Sequence, residues 1–549
     1  MNLKRIKIFF GIFSILSLLL AGRLWYIQLI GHKELSAAAA MQQQVAIVGL
    51  DQRGTIYDRK MKPLTGSTTE YIYLTYKDRV DEAFYEIMRR LGAGRRGSEN
   101  SDYIIYASEQ YGKEIAEKLA ADYGTYIIEG AKRYEDSQSA AHVIGYVNTY
   151  DNRGISGIEY ELNDILSTAR GKVYGIADRN GSLLPGFSLR YEKEGTSGSD
   201  IVLTIDSDLQ AIAEEVLSES DYDGAVVILD TKSGEILAIA STPMYNPNSV
   251  KDYIDSNGSE LFNKCTQGEY PPGSIFKIVV TAAALENEIC DENGRKIDEN
   301  TVFYCAGKEV LAGIEIGCST GGTEGHGKIT LKDAFAYSCN CAFIQLGQLT
   351  GSENIIAMAE KMGFGEISLR DIPSVRQGNV TSAEDAAGDG IGNLSIGQGE
   401  MLATPLQIAR MTNIIALQGN DIELSLLKNA EEITDRQSKK FTQRTVRTGI
   451  LSQETAEMIT ALMSAVTDYG TARGIDREIE AAGKTGSAEN RIYGEELVHG
   501  WFTGFFPVSD PQYTITVFAE NGRSGRTAAV PIFEKIVEKM QEQGLCRMQ

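Results

Sequence analysis

The sequence contains few histidines, no CxxC cysteine pair and a deficit of basic residues. Four histidines and seven cysteines occur in 549 residues, and no two cysteines have CxxC spacing. This scarcity argues against a structural zinc site and against an HExxH metalloprotease. Lys and Arg total 53 against 75 Asp and Glu, and the formal charge of −22 argues against nucleic-acid binding. We expect no metal, no cofactor and no nucleic-acid partner.

Long runs that are both uncharged and almost wholly apolar are also scarce, and the clearest one lies at the N-terminus. Residues 8–22 carry no charge and follow the basic sequence MNLKRIK, and beyond Arg23 the apolar Leu24–Ile30 continues the run. This pattern predicts that residues 1–31 form a short cytoplasmic end and a single transmembrane anchor. Because the basic residues precede the span, the rest of the chain should lie outside the cytoplasm. A cleaved signal peptide is the alternative, with small residues at SAAAAM (36–41) as the cleavage region.

Two segments of different character follow the anchor. Residues 32–195 mix polar helix-like runs with short strands and show no paired catalytic groups. Residues 196–549 begin with a strand and an amphipathic helix, and GAVVILDTKSGEILAIAS then has the pattern of a hairpin. Three late strands and a final amphipathic helix are predicted in AAGKTGSA, WFTGFFPV, YTITVFAE and PIFEKIVEKMQEQG.

The stretch EYPPGSIFKIVV (269–280) raises the main functional question. Ser274 follows Pro-Pro-Gly and stands three residues before Lys277, where a buried helix is predicted to begin. One interpretation is a helix N-cap, and the other is a nucleophile beside its base. The Ser-x-x-Lys spacing also arises by chance in a chain of this length, and Ser425 to Lys428 is a second copy. The spacing alone therefore does not decide between them.

Two further motifs follow in an order that favours the nucleophile. Ser-Cys-Asn occupies 338–340 and Lys-Thr-Gly occupies 484–486. In this order the three motifs are the signature of penicillin-binding proteins and serine β-lactamases. Competing copies of the second and third motifs lie at 352–354 and 232–234, but the latter precedes the nucleophile. Ser425 has no Ser-x-Asn between it and Lys-Thr-Gly, so only one choice gives a helix start, a loop and a strand in sequence.

The residue types in these motifs suit acyl transfer. Because a serine hydroxyl is a weak nucleophile, a base must take the proton of Ser274. Lys277 lies one helical turn away and must be neutral, although the ordinary pKa of lysine is about 10.4. Burial and the positive charge of Lys484 would both lower the pKa of Lys277. Ser338 can relay a proton to the leaving amine, and Asn340 can hold a substrate amide carbonyl.

The chain resembles the class B penicillin-binding proteins, the monofunctional peptidoglycan transpeptidases, over nearly its whole length. RGTIYDR (53–59) resembles the membrane-proximal sequence motif, or box, of that family. Within 140–166, AAHVIGYV and GISGIEYELNDIL resemble two further boxes of the family's N-terminal module. The motifs LTIDSDLQ, PPGSIFK, SCN, SIGQGEMLATPLQIA and GKTGSA then match in order. Ile275, directly after the serine of PPGSIFK, stands where the family often has Thr. The resemblance implies an α/β (α+β) fold, with a five-stranded antiparallel sheet flanked by helices, a helical subdomain and an N-terminal pedestal domain at 32–195.

The resemblance also implies roles for individual residues. Ser274 would be the acylated nucleophile, Lys277 the general base, and Ser338 and Asn340 the second wall of the site. The strand that binds the substrate carboxylate would carry Lys484, Thr485 and Gly486, and the backbone N–H of Ser487 would complete an oxyanion hole with that of Ser274. The charged residues of the structural boxes would form an ion network between segments rather than mere surface charges. The box residues are Arg53, Gly54, Asp58, Arg59, Gly157 and Glu159.

Glu159 has a second interpretation. It begins a Glu-x-x-Leu-Asn sequence, the pattern with which class A β-lactamases deacylate. Here it precedes the nucleophile instead of following Ser-x-Asn, and we interpret it as structural.

The expected activity is that of a penicillin-sensitive D,D-transpeptidase that cross-links peptidoglycan stem peptides outside the cytoplasm. A D,D-carboxypeptidase or β-lactamase would share the three motifs but would not need the pedestal boxes. A non-enzymatic β-lactam sensor would need several membrane spans. A bifunctional enzyme would need an upstream glycosyltransferase domain, for which residues 32–195 are too short. Glycan polymerisation would then come from a partner, for which the family implies a polytopic glycosyltransferase.

Cys305 and Cys318 stand on either side of what the sequence predicts to be a Gly-containing hairpin. An exported location permits a disulfide between them, which would stabilise by about 3 kcal/mol in the chain-entropy model. The alternative is a pair of buried free thiols. Cys339 and Cys341 could also compete as partners, although cysteines one residue apart rarely bridge each other.

Overall fold

The computed structural model describes most of the chain. The described residues are 3–30, 44–49, 53–96, 102–148, 153–167, 170–176, 190–194, 199–256, 258–311, 313–319, 324–372, 374–428, 445–492 and 495–546. The possible cleavage region at 36–41 lies outside them.

The apolar N-terminal run forms one long helix, α1 (Leu3–Trp25), which continues as a π-helical turn at Tyr26–Ile30. Its candidate membrane span, Ile6–Gln28, has a mean hydropathy of 1.9, and none of its most apolar window is buried against the described parts of the chain. Arg23 places its guanidinium 5.5 Å from the ring centroid of Tyr26. By length and composition, this helix fits a membrane anchor.

The N-terminal part carries two antiparallel sheets, one with the strand order β4-β5-β3-β6 and the other β1-β7-β8. Helices α2 and α3 contribute Phe84 and Leu119 to a small core with Tyr73 of the first sheet. The elements are β1 (Gln44–Gly49), β2 (Ile56–Tyr57), β3 (Thr68–Tyr76), α2 (Glu82–Arg90), β4 (Gly94–Arg96), β5 (Tyr103–Ser108), α3 (Lys113–Tyr123), β6 (Tyr126–Lys132), α4 (Ala141–Ile144), α5 (Gly157–Glu161), α6 (Asn163–Leu166), β7 (Arg170–Ile176) and β8 (Arg190–Glu194).

The C-terminal part is richer in helices and ends in strands. Its elements are β9 (Ile201–Val202), α7 (Ser207–Ser218), β10 (Gly224–Asp230), β11 (Ile236–Ser241), α8 (Lys251–Ile254), α9 (Lys277–Glu286), β12 (Val302–Cys305), β13 (Lys308–Leu311), β14 (Ile314–Gly317), β15 (Gly327–Thr330), α10 (Leu331–Ala336), α11 (Asn340–Thr350), α12 (Ser352–Lys361), α13 (Gly390–Ser395), α14 (Pro405–Ala416), β16 (Asp421–Ile422), β17 (Val446–Arg447), α15 (Gln453–Asp468), β18 (Ala482–Ile492), β19 (Glu495–Phe506), β20 (Tyr513–Ala519) and α16 (Val530–Glu542).

A five-stranded antiparallel sheet organises this part, with the strand order β11-β10-β20-β19-β18. The predicted hairpin, the three late strands and the final helix are all confirmed. Phe502 of β19 contacts Phe533 of α16, with ring centroids 4.6 Å apart, whereas Thr503 bonds Thr412 of α14 at 2.7 Å. Since successive side chains of a strand point to opposite faces, α14 and α16 cover opposite faces of the sheet. Strand β18 forms one edge.

The two parts of the chain share one hydrophobic core. Ile56, Val143 and Ile158 belong to the same buried cluster as Ile201 and Ile228. Strand β2 also pairs in parallel with β9. Packing is therefore continuous from the RGTIYDR box to the central sheet, and the boundary between 195 and 196 stays a prediction.

The predicted ion network is present and buried. Arg53 donates from Nε to Glu159 Oε2 at 2.8 Å and from Nη1 to Asn163 Oδ1 at 3.0 Å. Glu159 also accepts from Arg133 Nε at 2.6 Å and from the Tyr134 hydroxyl at 3.0 Å. The Arg53 and Glu159 side chains are 1% and 0% exposed. Glu159 thus neutralises two arginines, in keeping with a structural role.

Other box residues make close contacts between segments. Asp58 Oδ2 accepts from the Ser207 hydroxyl at 2.7 Å, and Arg59 pairs with Glu235 at 3.0 Å. Gly54 and Gly157 leave no room for a side chain. A Cβ on Gly54 would lie 2.0 Å from the Ser199 carbonyl oxygen, and one on Gly157, whose φ is +60°, would lie 2.5 Å from that of Val143. The boxes therefore join the N-terminal part to the core of the C-terminal part.

Substituting Glu159→Gln should destabilise the protein strongly, because it leaves Arg53 with an uncompensated buried charge. Breaking a buried ion pair in this way typically costs about 3–5 kcal/mol. Thermal unfolding of the detergent-solubilised full chain measures the effect. Glu161→Gln, on the exposed side of the same helix, is the matched control and should unfold like the wild type. A Glu159→Gln protein as stable as its control would refute a structural role for the network.

Candidate active site

Ser274 lies in a 3₁₀ turn, Gly273–Phe276, that leads directly into α9. Gly273 has a φ of +54°, and a Cβ there would lie 2.7 Å from the Ser487 carbonyl oxygen. Side chains three residues apart eclipse each other in a 3₁₀ turn, so Ser274 and Lys277 face the same side. The serine is partly exposed, whereas Lys277 is 0% exposed. The turn thus leaves the serine partly accessible and is followed directly by a buried lysine.

The Lys277 amine has three oxygen neighbours. Its Nζ lies 2.8 Å from the Ser338 carbonyl oxygen, 2.8 Å from Asn340 Oδ1 and 3.2 Å from Ser338 Oγ. The two shorter contacts are to oxygens that can only accept, and a neutral amine has two hydrogens for them. Its lone pair then remains available for a hydroxyl proton. Burial lowers the pKa of Lys277 to about 8, so an appreciable neutral fraction exists near neutral pH.

The Ser338 hydroxyl lies between two lysines. Its Oγ is 3.2 Å from Lys277 Nζ and 3.2 Å from Lys484 Nζ. Ser338 adopts a φ of +58°, which is uncommon outside glycine, and this turns its carbonyl and hydroxyl oxygens toward the same amine. Asn340, the first residue of α11, donates from Nδ2 to the Gly317 carbonyl at 2.9 Å. The turn therefore holds the second wall of the site in one orientation.

Lys484 reaches this hydroxyl from the edge strand β18. Its Nζ also lies 3.1 Å from the Thr485 carbonyl oxygen and 5.5 Å from the ring centroid of Phe335. Burial, and secondarily the charge of Lys277, hold the pKa of Lys484 well below its usual range. Two buried ammonium groups beside one hydroxyl oxygen would repel each other. Burial and this repulsion both favour a state in which one lysine of the pair is neutral.

Strand β18 packs directly on the nucleophile turn. A Cβ on Gly486 would lie 2.8 Å from Ile275 Cγ1 and 3.1 Å from the Pro272 carbonyl oxygen. The backbone of Ser487 lies at the same contact, because its carbonyl abuts Gly273. The structure thus brings the strand that carries Ser487 against the turn that carries Ser274, although the oxyanion role of their N–H groups stays a prediction.

Thr485 and Ser487 face other partners through their hydroxyls. Thr485 Oγ1 lies 2.6 Å from Thr471 Oγ1, and Ser487 Oγ accepts from the Gly525 N–H at 3.3 Å. Thr485 is buried in this arrangement. Its contact with a substrate carboxylate stays a prediction.

Comparison with known proteins identifies the fold that carries this site. The profile described as Penicillin binding protein transpeptidase domain matches residues 224–538, more than half of the chain. The chain belongs to this family. The peptidoglycan D,D-transpeptidase MrdA of Acinetobacter baumannii is 28% identical over 97% of this chain and 88% of its own length. Stage V sporulation protein D of Bacillus subtilis is 28% identical over 96% of this chain and 83% of its own length. The predicted class B membership is thereby confirmed.

Solved structures agree with the penicillin-binding transpeptidase fold. A chain from a complex between penicillin-binding protein PBP2 and MreC of Helicobacter pylori aligns with a TM-score of 0.68 and 23% identity, over 92% of this chain and 99% of that one. A second structure is titled for the coordination of polymerisation and crosslinking by a peptidoglycan synthase complex. One of its chains aligns with a TM-score of 0.70 and 25% identity, over 97% of this chain and 98% of that one. The predicted fold class is confirmed.

The residues of the competing motif copies at Ser425 and Lys232 make contacts that support the fold. Ser425 forms a bridge with Glu235 and donates its hydroxyl to the Leu427 carbonyl at 2.7 Å. Lys232 stands in the turn between β10 and β11 and pairs with Asp510 at the surface. Neither copy stands at the start of a buried helix, whereas Ser274 leads into one.

Of the two alternatives that the sequence left open for Cys305 and Cys318, the structure shows buried free thiols. The predicted hairpin does form, as β13 and β14, but Cys305 ends β12 and pairs with Gly327 of β15. Cys318 Sγ instead lies 3.7 Å from Cys339 Sγ. Cys339 is one of the two competing partners that the sequence offered. No local spacing predicts the packing of Phe335 and Phe343 on the lysines.

The acylation rate of this penicillin-binding protein should rise with pH. Lys277 accepts a proton only when neutral, so the second-order rate with benzylpenicillin should increase from about pH 6 and level off above an inflection near its pKa of about 8. Stopped-flow or quenched labelling measures this rate, with thermal unfolding at each pH as a control for folding. A rate that falls across this interval would contradict the use of Lys277 as base.

Proposed function

We propose that this chain is a membrane-anchored peptidoglycan D,D-transpeptidase that cross-links stem peptides through an acyl-enzyme on Ser274. The observation that carries the proposal is the convergence of three distant motifs on one hydroxyl group. Lys277, Ser338 and Lys484 come from α9, the turn before α11 and β18, and their polar atoms form one chain of contacts of 3.2 Å. The printed activity of the MrdA relative, which this chain matches along most of its length, supports the same reaction.

In the first step Ser274 Oγ attacks the carbonyl carbon of the penultimate D-Ala, and Lys277 takes the hydroxyl proton. Backbone N–H groups of Ser274 and Ser487 receive the negative charge on the carbonyl oxygen. The amide C–N bond then breaks, and a proton passes from Lys277 through the Ser338 hydroxyl to the leaving amine. The products are a Ser274 ester and free D-Ala.

In the second step the amine of another stem peptide attacks that ester. Lys277, neutral again after the first step, accepts a proton from the amine, and the Ser274 oxygen recovers a proton as the ester bond breaks. The product is a new amide between two stem peptides, and the enzyme returns to its starting state. No cofactor enters this balance.

Substrate binding uses the remaining groups of the cleft. Asn340 Nδ2 already donates to a backbone carbonyl, that of Gly317, and it can exchange this bond for a substrate amide carbonyl. Lys484 and the Thr485 hydroxyl serve the terminal carboxylate of the donor peptide. A β-lactam presents an amide carbonyl and a carboxylate in a similar arrangement and would acylate Ser274 in the same way.

The hydrolase alternatives share the first step but not the surroundings. Deacylation by a class A β-lactamase requires a glutamate that activates water, and the candidate pattern here begins at Glu159. That carboxylate is 0% exposed and bonded to Arg53 and Arg133, so it is not available as a base. This observation favours acyl transfer to an amine over rapid hydrolysis.

The location follows from the anchor. Helix α1 would cross the cytoplasmic membrane once, with the basic start inside and the catalytic part outside. We infer that a polytopic glycosyltransferase supplies the glycan strands and contacts the anchor and the N-terminal part. The printed title of one structural neighbour concerns a peptidoglycan synthase complex that couples polymerisation with crosslinking, which supports such a partner.

Labelling with a fluorescent penicillin tests the nucleophile. Ser274→Ala should lose covalent labelling entirely, because no other hydroxyl stands on the turn above Lys277. Ser425→Ala, in the second Ser-x-x-Lys copy, is the control and should label like the wild type. Peptide mapping of the adduct should find Ser274, and a labelled Ser274→Ala protein would refute the assignment.

The lifetime of the same adduct separates the two enzyme classes. A transpeptidase without an activated water should hold the penicilloyl group for many minutes or longer, whereas turnover within seconds would favour the β-lactamase alternative. Intact mass spectrometry after removal of free penicillin gives this lifetime.

A further inference from the structure

A buried tryptophan is bonded to the segment that leads to the nucleophile. Trp501 of β19 is 0% exposed, and its indole Nε1 donates to the buried Pro271 carbonyl oxygen at 3.1 Å. The ring lies among aromatic neighbours, with its centroid 4.6 Å from that of Phe518 and 6.3 Å from that of Tyr270. The indole N–H can only donate, and the carbonyl can only accept. The bond therefore fixes one point of the loop before Ser274 to the central sheet.

The two prolines before Ser274 explain why a donor from outside the loop matters. Pro271 and Pro272 have no backbone N–H, so at these positions only the carbonyl groups can form backbone hydrogen bonds. The Pro272 carbonyl accepts from the Ile275 N–H at 3.3 Å within the turn itself, whereas the Pro271 carbonyl accepts from the Trp501 indole. The proline rings also fix φ, so a displacement of Pro271 is passed along the chain toward Ser274.

Backbone hydrogen bonds hold the chain on both sides of the prolines. Tyr270 exchanges two such bonds with Ala403, at 3.0 and 2.9 Å, and Gly273 donates to the Gly397 carbonyl at 2.9 Å. Ala403 and Gly397 belong to the loop between α13 and α14, and not to the central sheet. The indole bond is different, because it attaches the same segment to a strand of that sheet.

Trp501 reaches the segment across the same gap as the proposed oxyanion hole. It is the cross-strand partner of Gly486 in β18, so the two residues project from the same face of the sheet. At Gly486 that face lies against the nucleophile turn. The proposed oxyanion donors, the N–H groups of Ser274 and Ser487, stand on the two sides of this gap. The indole bond therefore spans a distance that must be right for both donors to reach one oxygen.

We propose that Trp501 is a positioning residue for acylation, and that its bond to Pro271 sets the distance between the Ser274 turn and β18. The inference rests on the proposed function, because it concerns the placement of the nucleophile and of the oxyanion donors. Buried tryptophans generally find some partner for their N–H group. This partner is not an arbitrary carbonyl, because it lies three residues before the nucleophile in a stretch whose φ angles are fixed by proline.

Trp501→Phe in the detergent-solubilised full chain tests the positioning role. Phenylalanine keeps an aromatic ring beside Phe518 but removes the N–H donor. Rapid labelling over a range of benzylpenicillin concentrations separates the dissociation constant of the initial complex from the first-order acylation rate. The acylation rate should fall by about 10- to 100-fold, toward the loss that a misplacement of about 1 Å can cause. The dissociation constant should stay that of the wild type, because the buried indole does not contact the ligand.

Phe505→Leu is the matched control. Phe505 is a buried aromatic residue of the same strand, and it projects from the same face as Trp501 two alternations further along. Its substitution should lower the thermal unfolding temperature, as Trp501→Phe should, but it should leave the acylation rate unchanged. Equal slowing in the two variants would indicate general loosening of the sheet and would overturn the positioning role.

A double variant tests whether the indole acts through the proline segment. Pro271→Ala keeps the carbonyl acceptor but releases φ, so it should slow acylation as well. If Trp501 acts through Pro271, the variant with both substitutions should acylate no more slowly than the slower single variant. Effects that multiply would show that the two residues act independently, and would overturn the proposed route.

The same labelling distinguishes failure of this inference from failure of the proposed function. An unlabelled wild-type protein, or a labelled Ser274→Ala protein, would refute the nucleophile assignment. A wild type labelled at Ser274, together with a folded Trp501→Phe protein that acylates at the wild-type rate, would refute the positioning role alone. A loss confined to the dissociation constant would also refute the positioning role.

Discussion

The structure depends on one constraint, the placement of two lysine amines and one serine hydroxyl in a buried site. Lys277 and Lys484 are both 0% exposed, and each lies 3.2 Å from Ser338 Oγ. An isolated charge in such surroundings is costly, and two like charges cost more. Carbonyl and amide oxygens accept hydrogen bonds from the two lysine amines, and the pKa values of both lysines are lowered. Proton transfer through Ser338 becomes possible because neither amine is held firmly in its charged form.

Each large element serves to hold this arrangement. The 3₁₀ turn at Gly273–Phe276 presents Ser274, and the absence of side chains at Gly273 and Gly486 lets β18 lie against it. The central sheet places β18 at its edge, where the strand faces the turn instead of another strand. Far from this cleft, Asp58 bonded to Ser207 and Arg59 paired with Glu235 join the N-terminal part to the same core.

Much of this could be predicted from the sequence, and the exceptions have physical reasons. The late strands alternate or are continuously apolar, and the order of the three motifs selected Ser274 over Ser425. The role of Glu159 followed only from family resemblance, because nothing local distinguishes a buried carboxylate from a surface one. The contact between Cys318 and Cys339 could not be predicted from local spacing, because the two residues stand 21 positions apart and the sequence left their partners open. The expected repulsion between the lysines is present, but it acts chiefly on the pKa of Lys484.

The central claim is that Lys277 works as a neutral amine, and an arginine exchange tests it most directly. Arginine retains its charge at any accessible pH, so Lys277→Arg should lose about 10²–10⁴-fold in penicillin acylation rate, as expected for loss of a general base. Lys484→Arg should lose less. Lys277→Met removes the amine without adding a charge, and together with thermal unfolding it separates loss of the base from failure to fold. A folded Lys277→Arg protein that acylates at the wild-type rate would contradict the account.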